Sequence, residues 1–239
     1  MTRGTNHEGD NTGCRNSGVL FFLTPAQANE VWDFTGTNTA LGQSHNYTGN
    51  LGDIINAQAF GPNGSGLGLP GPVQLFGKAN TGSETDENGA GLTNDPSGDN
   101  EITVGSFIQL DLFNILPSLT SLTMSFSANS TTSGETWQVW GTNTAGTLGS
   151  GTIPGGTLLD SCTSVGGPGD PCEAVRNIAG AGAFRYLDVT AFGDASNVLL
   201  HTVDAAVPGP IVGAGLPGLV ATCGGLLGLA RRRRRKQIA

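Results

Sequence analysis

Charge is scarce in this chain. Only 13% of its 239 residues are Asp, Glu, Lys or Arg, against about a quarter in an ordinary soluble protein. Cations are scarcer still outside the C-terminus. Between Asn29 and Pro210 there are three, Lys78, Arg176 and Arg185, facing seventeen acids, which leaves that segment at −14. A surface this acidic repels phosphates, so nucleic acid is excluded as a partner. The chain has only three histidines, and one of them, His7, lies near the N-terminus. No spacing joins His45 or His201 to a Ser and an Asp as a nucleophile set would require. The segment Ser133-Gly134-Glu135 lacks the G-x-S-x-G elbow. No glycine loop carries a phosphate-binding lysine, and the glycines fall in turns. The sequence therefore reads as non-catalytic.

What is abundant is glycine, with 39 residues. Low charge together with much Gly, Thr, Ser and Asn suits an extracellular β-protein. Blocks of Val, Leu, Ile and Phe argue against wholesale disorder. Residues 29–206 are long enough for one domain with its own core.

Strand signals recur along that segment. Residues 30–34 alternate polar and apolar with the two-residue period of a half-buried strand. Further candidates are residues 54–60, 73–76, 102–113, 119–126, 136–140 and 157–159. Residues 184–191 and 197–203 read as a closing pair. Residues 83–100 read as a polar loop. Phe107, Leu110, Leu112, Leu122, Met124 and Phe126 are expected in the core. No convincing amphipathic helix appears. Eight or nine short strands at regular spacing predict an all-β protein, a β-sandwich of jelly-roll type.

The two ends have a different character. Residues 1–18 are polar, a poor start for a signal peptide. Yet Val19-Leu20-Phe21-Phe22-Leu23 precedes Thr24-Pro25-Ala26-Gln27-Ala28, and Ala26-Gln27-Ala28 is an A-x-A cleavage site with Asn29 as the first mature residue. The apolar run is shorter than the usual 7–15 residues. Residues 1–28 thus read as a truncated signal peptide, or one whose start is misassigned. The plainer alternative is a short strand over residues 19–23.

The other end, residues 207–239, begins Val207-Pro208-Gly209-Pro210. Twenty uncharged residues, 211–230, follow, then Arg231, Arg232, Arg233, Arg234, Arg235 and Lys236. At about 1.5 Å per residue the run makes roughly 30 Å of helix, the thickness of a bilayer core. The six cations hold its end in the cytoplasm, so the preceding chain lies outside. This order of Pro-rich motif, one apolar helix and Arg cluster resembles the PEP-CTERM sorting signal of Gram-negative bacteria. Where that family has Pro-Glu-Pro, this chain has Pro208-Gly209-Pro210. Residues 105–205 are also similar to the sandwich modules that PEP-CTERM proteins carry, in strand order and in the turn from Gly134 to Trp137. The resemblance implies export, transient anchoring in the inner membrane and cleavage near the motif by an exosortase-type protease. It also implies delivery to the cell surface or an exopolysaccharide matrix. A plain, uncleaved membrane anchor is the alternative.

Three features remain. Cys162 and Cys172 lie ten apart in a Gly- and Pro-rich loop, and in an exported chain they form a disulfide most simply. The alternative is two free thiols. The acids Asp86, Glu87, Asp95, Asp99 and Glu101 cluster among glycines and prolines, and such a loop admits a structural Ca²⁺. Its spacing is not that of an EF-hand, and a solvated turn is the bland reading. No other cofactor is implied. Trp32, Trp137 and Trp140 could stack on sugars, which makes a carbohydrate- or Ca²⁺-dependent binding module the alternative function. Trp137 and Trp140 have odd separation, so one strand points them to opposite faces.

Overall fold

The computed structural model describes residues 27–61, 73–79, 87–95, 98–127, 134–146, 156–166, 170–193 and 196–208. Fourteen strands run through them. In chain order they are β1 (Gln27–Asp33), β2 (Thr39–Gly42), β3 (Ser44–Thr48), β4 (Ile54–Phe60), β5 (Leu75–Lys78), β6 (Gly89–Leu92) and β7 (Ile102–Thr103). There follow β8 (Phe107–Asp111), β9 (Ser121–Ser127), β10 (Thr136–Thr142), β11 (Thr157–Thr163), β12 (Arg176–Asn177), β13 (Tyr186–Phe192) and β14 (Asn197–Pro208). Two 3₁₀ turns are the only helical pieces among the described residues. None of these is long and apolar enough to cross a membrane, and residues 209–239 lie outside the description.

The strands form two antiparallel sheets. The first has the order β12-β9-β14-β6-β5-β2, with β1 and β7 also paired to β14; the second has the order β11-β10-β13-β8-β4-β3. The period-2 pattern explains the layering. Leu122, Met124 and Phe126 of β9 and Val203 and Ala205 of β14 point one way, and Ile108, Leu110, Trp137, Val139, Leu187 and Val189 of the second sheet point back at them. All are buried in one continuous core, so the fold is an all-β sandwich. Full burial of each large apolar side chain contributes about 1.5–3 kcal/mol. The Phe126 and Trp137 rings stack across the two sheets with centroids 4.1 Å apart. At one edge the Arg176 guanidinium of β12 grips the Asp160 carboxylate of β11 at 3.0 and 3.1 Å, joining the sheets again.

Four sequence expectations are corrected. The alternating stretch 102–113 is not one strand. Gly105 (φ +82°) and the Ser106 N–H bond to the Thr103 carbonyl turn the chain, so β7 joins the first sheet and β8 the second. Alternation continued through the turn because both strands face the same core. Residues 184–191 and 197–203 are not a closing pair, since β13 and β14 lie in opposite sheets. The polar loop 83–100 contains β6, all four of whose residues are buried. Its glycines are there for close approach: a Cβ on Gly91 would lie 1.9 Å from the Asn100 carbonyl oxygen. Finally, fourteen strands replace eight or nine, because β2, β3, β6, β7 and β12 are too short or too polar for a period to show.

Candidate functional site

The residues singled out at the two ends of the domain meet. β1 pairs with the last half of β14 in a register that runs from Asp33 opposite Thr202 to Ala28 opposite Val207 and Gln27 opposite Pro208. On its other side β14 pairs with β9, but that ladder stops at Ala206 opposite Ser121. Among the described strands Val207 and Pro208 are therefore held by β1 alone. The Val207 side chain is buried in the core. β1 is itself clamped from behind. The Glu30 carboxylate accepts the N–H groups of Leu51 and Asp53, Asn50 Oδ1 accepts the Val31 N–H, and the Trp32 indole donates to the Asp53 carbonyl. Ala26, Gly209, Pro210, Arg231, Arg232, Arg233, Arg234, Arg235 and Lys236 lie outside the described residues.

The acidic cluster is organised around a cation already in the chain. Lys78 of β5 is buried, and its ammonium pairs with Glu87 and, at 3.1 Å, with Glu101. Burial pushes the Glu101 carboxyl up to about 7, against the opposing pull of Lys78. Burial pushes Lys78 down, but hydrogen bonds and charge from Glu87 and Glu101 outweigh it and hold the ammonium above its ordinary value. Asp95 accepts the Glu101 N–H at 3.2 Å, and Asp99 is exposed. Asp86 is outside the described residues. No group of three His, Cys, Asp or Glu side chains that could hold a metal ion occurs among those described. Lys78 is one of only three cations between Asn29 and Pro210, and that rarity was the sequence signal for its role.

Cys162 and Cys172 are joined by a disulfide, with Cα atoms 5.5 Å apart. Sequence reasoning missed the residue that organises the enclosed loop. Asp170 is buried and collects donors: Ser164 Oγ, the N–H groups of Val165 and Gly166 at 2.9 and 3.0 Å, and the Cys172 N–H at 2.8 Å. Burial pushes its carboxyl up, but these bonds outweigh it and hold the group below the usual carboxylate range.

The second sheet carries a polar row on its outer face. Asn56 of β4 donates to Ser44 and Asn46 of β3, and Gln58 donates to Asn56. Gln109 of β8 donates to Asp188 of β13 at 2.8 Å, and the Trp140 indole of β10 donates to Gln138 at 3.0 Å. Residues 143–146 cross this face, and the Gly146 N–H donates to Gln109 at 3.1 Å. Ser44 and Asn46 are exposed, Asn56, Gln58 and Trp140 half-buried, and Gln109 and Asp188 buried. Asp188 Oδ2 has no hydrogen-bond partner, and burial pushes the carboxyl up to about 7. Trp32 and Trp137 belong to the core, so of the three tryptophans only Trp140 has exposed ring surface.

Two further places bring together polar groups or form a concave surface. Ser125 Oγ lies 3.3 Å from His201 Nδ1 and also bonds Thr202, and among the described residues no carboxylate is hydrogen-bonded to His201. A cleft of about 280 Å³ between residues 119–122 and 177–183 is lined by apolar and small polar residues without an ionisable side chain.

No family model, no curated protein and no solved structure matches this chain.

Proposed function

We propose that this chain is a non-catalytic exported protein of the cell surface or extracellular matrix, a jelly-roll-type sandwich with a PEP-CTERM-like sorting and anchoring tail. The observation that carries the reading is the position of β14. It is the last described strand, it reaches Pro208, and the sequence after Pro210 holds twenty uncharged residues and six cations. A sandwich strand that leads in sequence into such a run matches cargo joined to an address. The disulfide suits an oxidising compartment. The acidic, lightly charged sandwich and the chain crossing repeatedly between sheets agree with the same reading. The helix over residues 211–230 would halt translocation in the inner membrane, and Arg231 to Arg235 with Lys236 would fix its orientation. An exosortase-type protease would then act near residues 207–210 and release the domain towards the surface or its exopolysaccharide.

The test is the intact mass of the protein recovered from its native host, by cell fraction. Loss of about 25–30 C-terminal residues with product beyond the inner membrane is the expected result. A full-length tail found only in the inner membrane makes it a plain anchor and ends the sorting reading. Replacing Arg231 to Arg235 by neutral residues should disturb anchoring.

One observation favours a second reading, a carbohydrate-binding module. The outer face of the second sheet aligns Ser44, Asn46, Asn56 and Gln58 as hydrogen-bonding groups, with the half-exposed Trp140 ring farther along the same face. Amides that pair with hydroxyls and a ring that stacks on sugar carbons are the chemistry such a site needs. A glycan array in which nothing binds excludes it.

A further inference from the structure

We infer that the two ends of this protein are processed in a fixed order, because the leader holds the sorting motif shut. The inference rests on the sorting reading above and adds its regulation. The register is the reason. The A-x-A site places cleavage between Ala28 and Asn29. The residues this removes from β1 are Gln27 and Ala28, which are the partners of Pro208 and Val207. Those are the first two residues of the proposed recognition segment. The ladder on the other side of β14 has already ended at Ala206, so nothing in β9 replaces the lost partners. The five rungs from Asn29 opposite Ala206 to Asp33 opposite Thr202 remain, and with them the closed sandwich.

The chemistry is two hydrolyses in sequence. In the first, water adds across the Ala28–Asn29 peptide bond, leaving a carboxylate on Ala28 and an amine on Asn29. Val207 and Pro208 then have no strand beside them. A protease binds its substrate as an extended strand, through the backbone groups of the substrate itself. Backbone already paired in a sheet cannot be taken up without first being unzipped, and the population that is unzipped sets the rate. In the second step, water adds across a peptide bond of residues 207–210 or next to them, and the tail leaves with the new amine. A chain that has not been exported keeps its leader, keeps the ladder, and keeps its tail. The sandwich thus reports at its C-terminus what has happened at its N-terminus, through the end of one ladder, where Ala28 and Val207 form the last hydrogen-bonded pair.

The test uses the full chain expressed in its native host and reads both ends of each molecule by intact mass. Ala28→Val blocks the first cleavage, which needs a small residue before the scissile bond, and a β-branched residue suits the strand. Leader-bearing molecules of this variant should show tail loss reduced about tenfold or more relative to the unaltered protein. Ala28→Pro also keeps the leader but removes the N–H that Ala28 presents to Val207, since proline cannot donate to a ladder; Val31 turns its N–H and carbonyl to Asn50, so residues 27, 29 and 31 face away from β14 while residues 28, 30 and 32 face it. Its tail loss should return towards the unaltered level while the leader stays on. Two results overturn the ordering and leave the sorting reading intact: leader-bearing Ala28→Val molecules that lose the tail at the unaltered rate, or leader-bearing Ala28→Pro molecules that fail to recover. An unaltered protein that never loses its tail overturns both.

Discussion

Asp170 and Asp188 both expose little surface to water, 4% and 0%, and ionise in opposite directions. Asp170 sits in the loop closed by the disulfide and accepts four hydrogen bonds, three of them from backbone N–H groups. Asp188 sits mid-strand and accepts one, from the Gln109 amide, with its second oxygen unpartnered. Burial raises both carboxyls. In Asp170 the donors outweigh it and the group lies below the ordinary range, whereas in Asp188 the single amide does not and the group rises to about 7. Burial alone therefore does not decide the charge of an aspartate; the supply of donors does. A tight loop offers several backbone N–H groups to one carboxylate. A strand offers none, because its own ladder has claimed them.

The same substitution at the two sites should act with opposite sign. Three of the four donors share Asp170 Oδ2, so Asp170→Asn keeps them on its one acceptor oxygen, now uncharged, and sets its NH₂ against the Cys172 N–H. It should cost about 3 kcal/mol, the worth of one bond to a charged group lost with its donor left unpaired. Urea unfolding at pH 7 measures it, and a loss below 1 kcal/mol would break the comparison. The unaltered Asp170 contributes stability that is present above its unfolded pKa of about 4 and is lost as pH falls through its lower folded value. Reducing the Cys162–Cys172 disulfide should cost nearly as much, about 2–3 kcal/mol, by freeing the loop in the unfolded chain. It should also raise the Asp170 carboxyl, which carboxyl NMR titration with and without reductant would detect.

How far this was readable beforehand differs between the two sites in the same way. The spacing of Cys162 and Cys172 pointed to the loop, but nothing local marked Asp170 as its centre, because its partners are mostly backbone. Asp188 lies between the core residues Leu187 and Val189 and so on the outer face of its strand. Alternation alone would leave such a residue exposed, yet it is buried. Gln109 and Trp140 flank it, and residues 143–146 cross the same face, all more than forty positions away in sequence. The odd separation of Trp137 and Trp140 did translate into one core and one outer ring. The strands with long periodic runs were legible, as were the core residues Leu110, Met124 and Phe126. What the sequence could not show was which sheet each strand joins. Alternation reports a buried face without saying which of two facing sheets owns it. The meeting of Ala28 with Val207 was hidden for the same reason, since a ladder between the first strand and the last has no local signature.

Asp188→Asn tests the other arm of the comparison. The folded carboxyl at about 7 lies above an unfolded value of about 4, so the folded state holds the extra proton between them. The associated stability is fully present below pH 4 and is lost as pH rises to 7 and beyond. An asparagine keeps the shape and carries no charge to desolvate. The variant should match the parent at pH 4 and exceed it by about 1–2 kcal/mol at pH 8. Glu101, also pushed up to about 7, contributes in the same direction, so part of the decline should survive in the variant. Urea unfolding at pH 4, 6 and 8 separates the two, and a variant less stable than the parent at pH 8 would show that the ionised Asp188 is better served than its single bond indicates.

The smallest effect is expected at Trp140, and it sharpens the cause assigned to Asp188. Trp140 stands opposite Asp188 in the β10–β13 ladder and donates its indole N–H to Gln138, not to the carboxylate. Trp140→Phe removes that one partly exposed bond but leaves an aromatic ring over the row. Stability should fall by no more than about 0.5–1 kcal/mol, since water can reach the freed Gln138 carbonyl. The Asp188 carboxyl should still titrate near 7, because the ring that keeps water away is still there. A shift of that titration back towards the ordinary carboxylate range would mean that the smaller ring no longer seals the face. Burial at Asp188 would then depend on one side chain, and the sugar-stacking role considered for Trp140 could be tested only in variants that keep the indole.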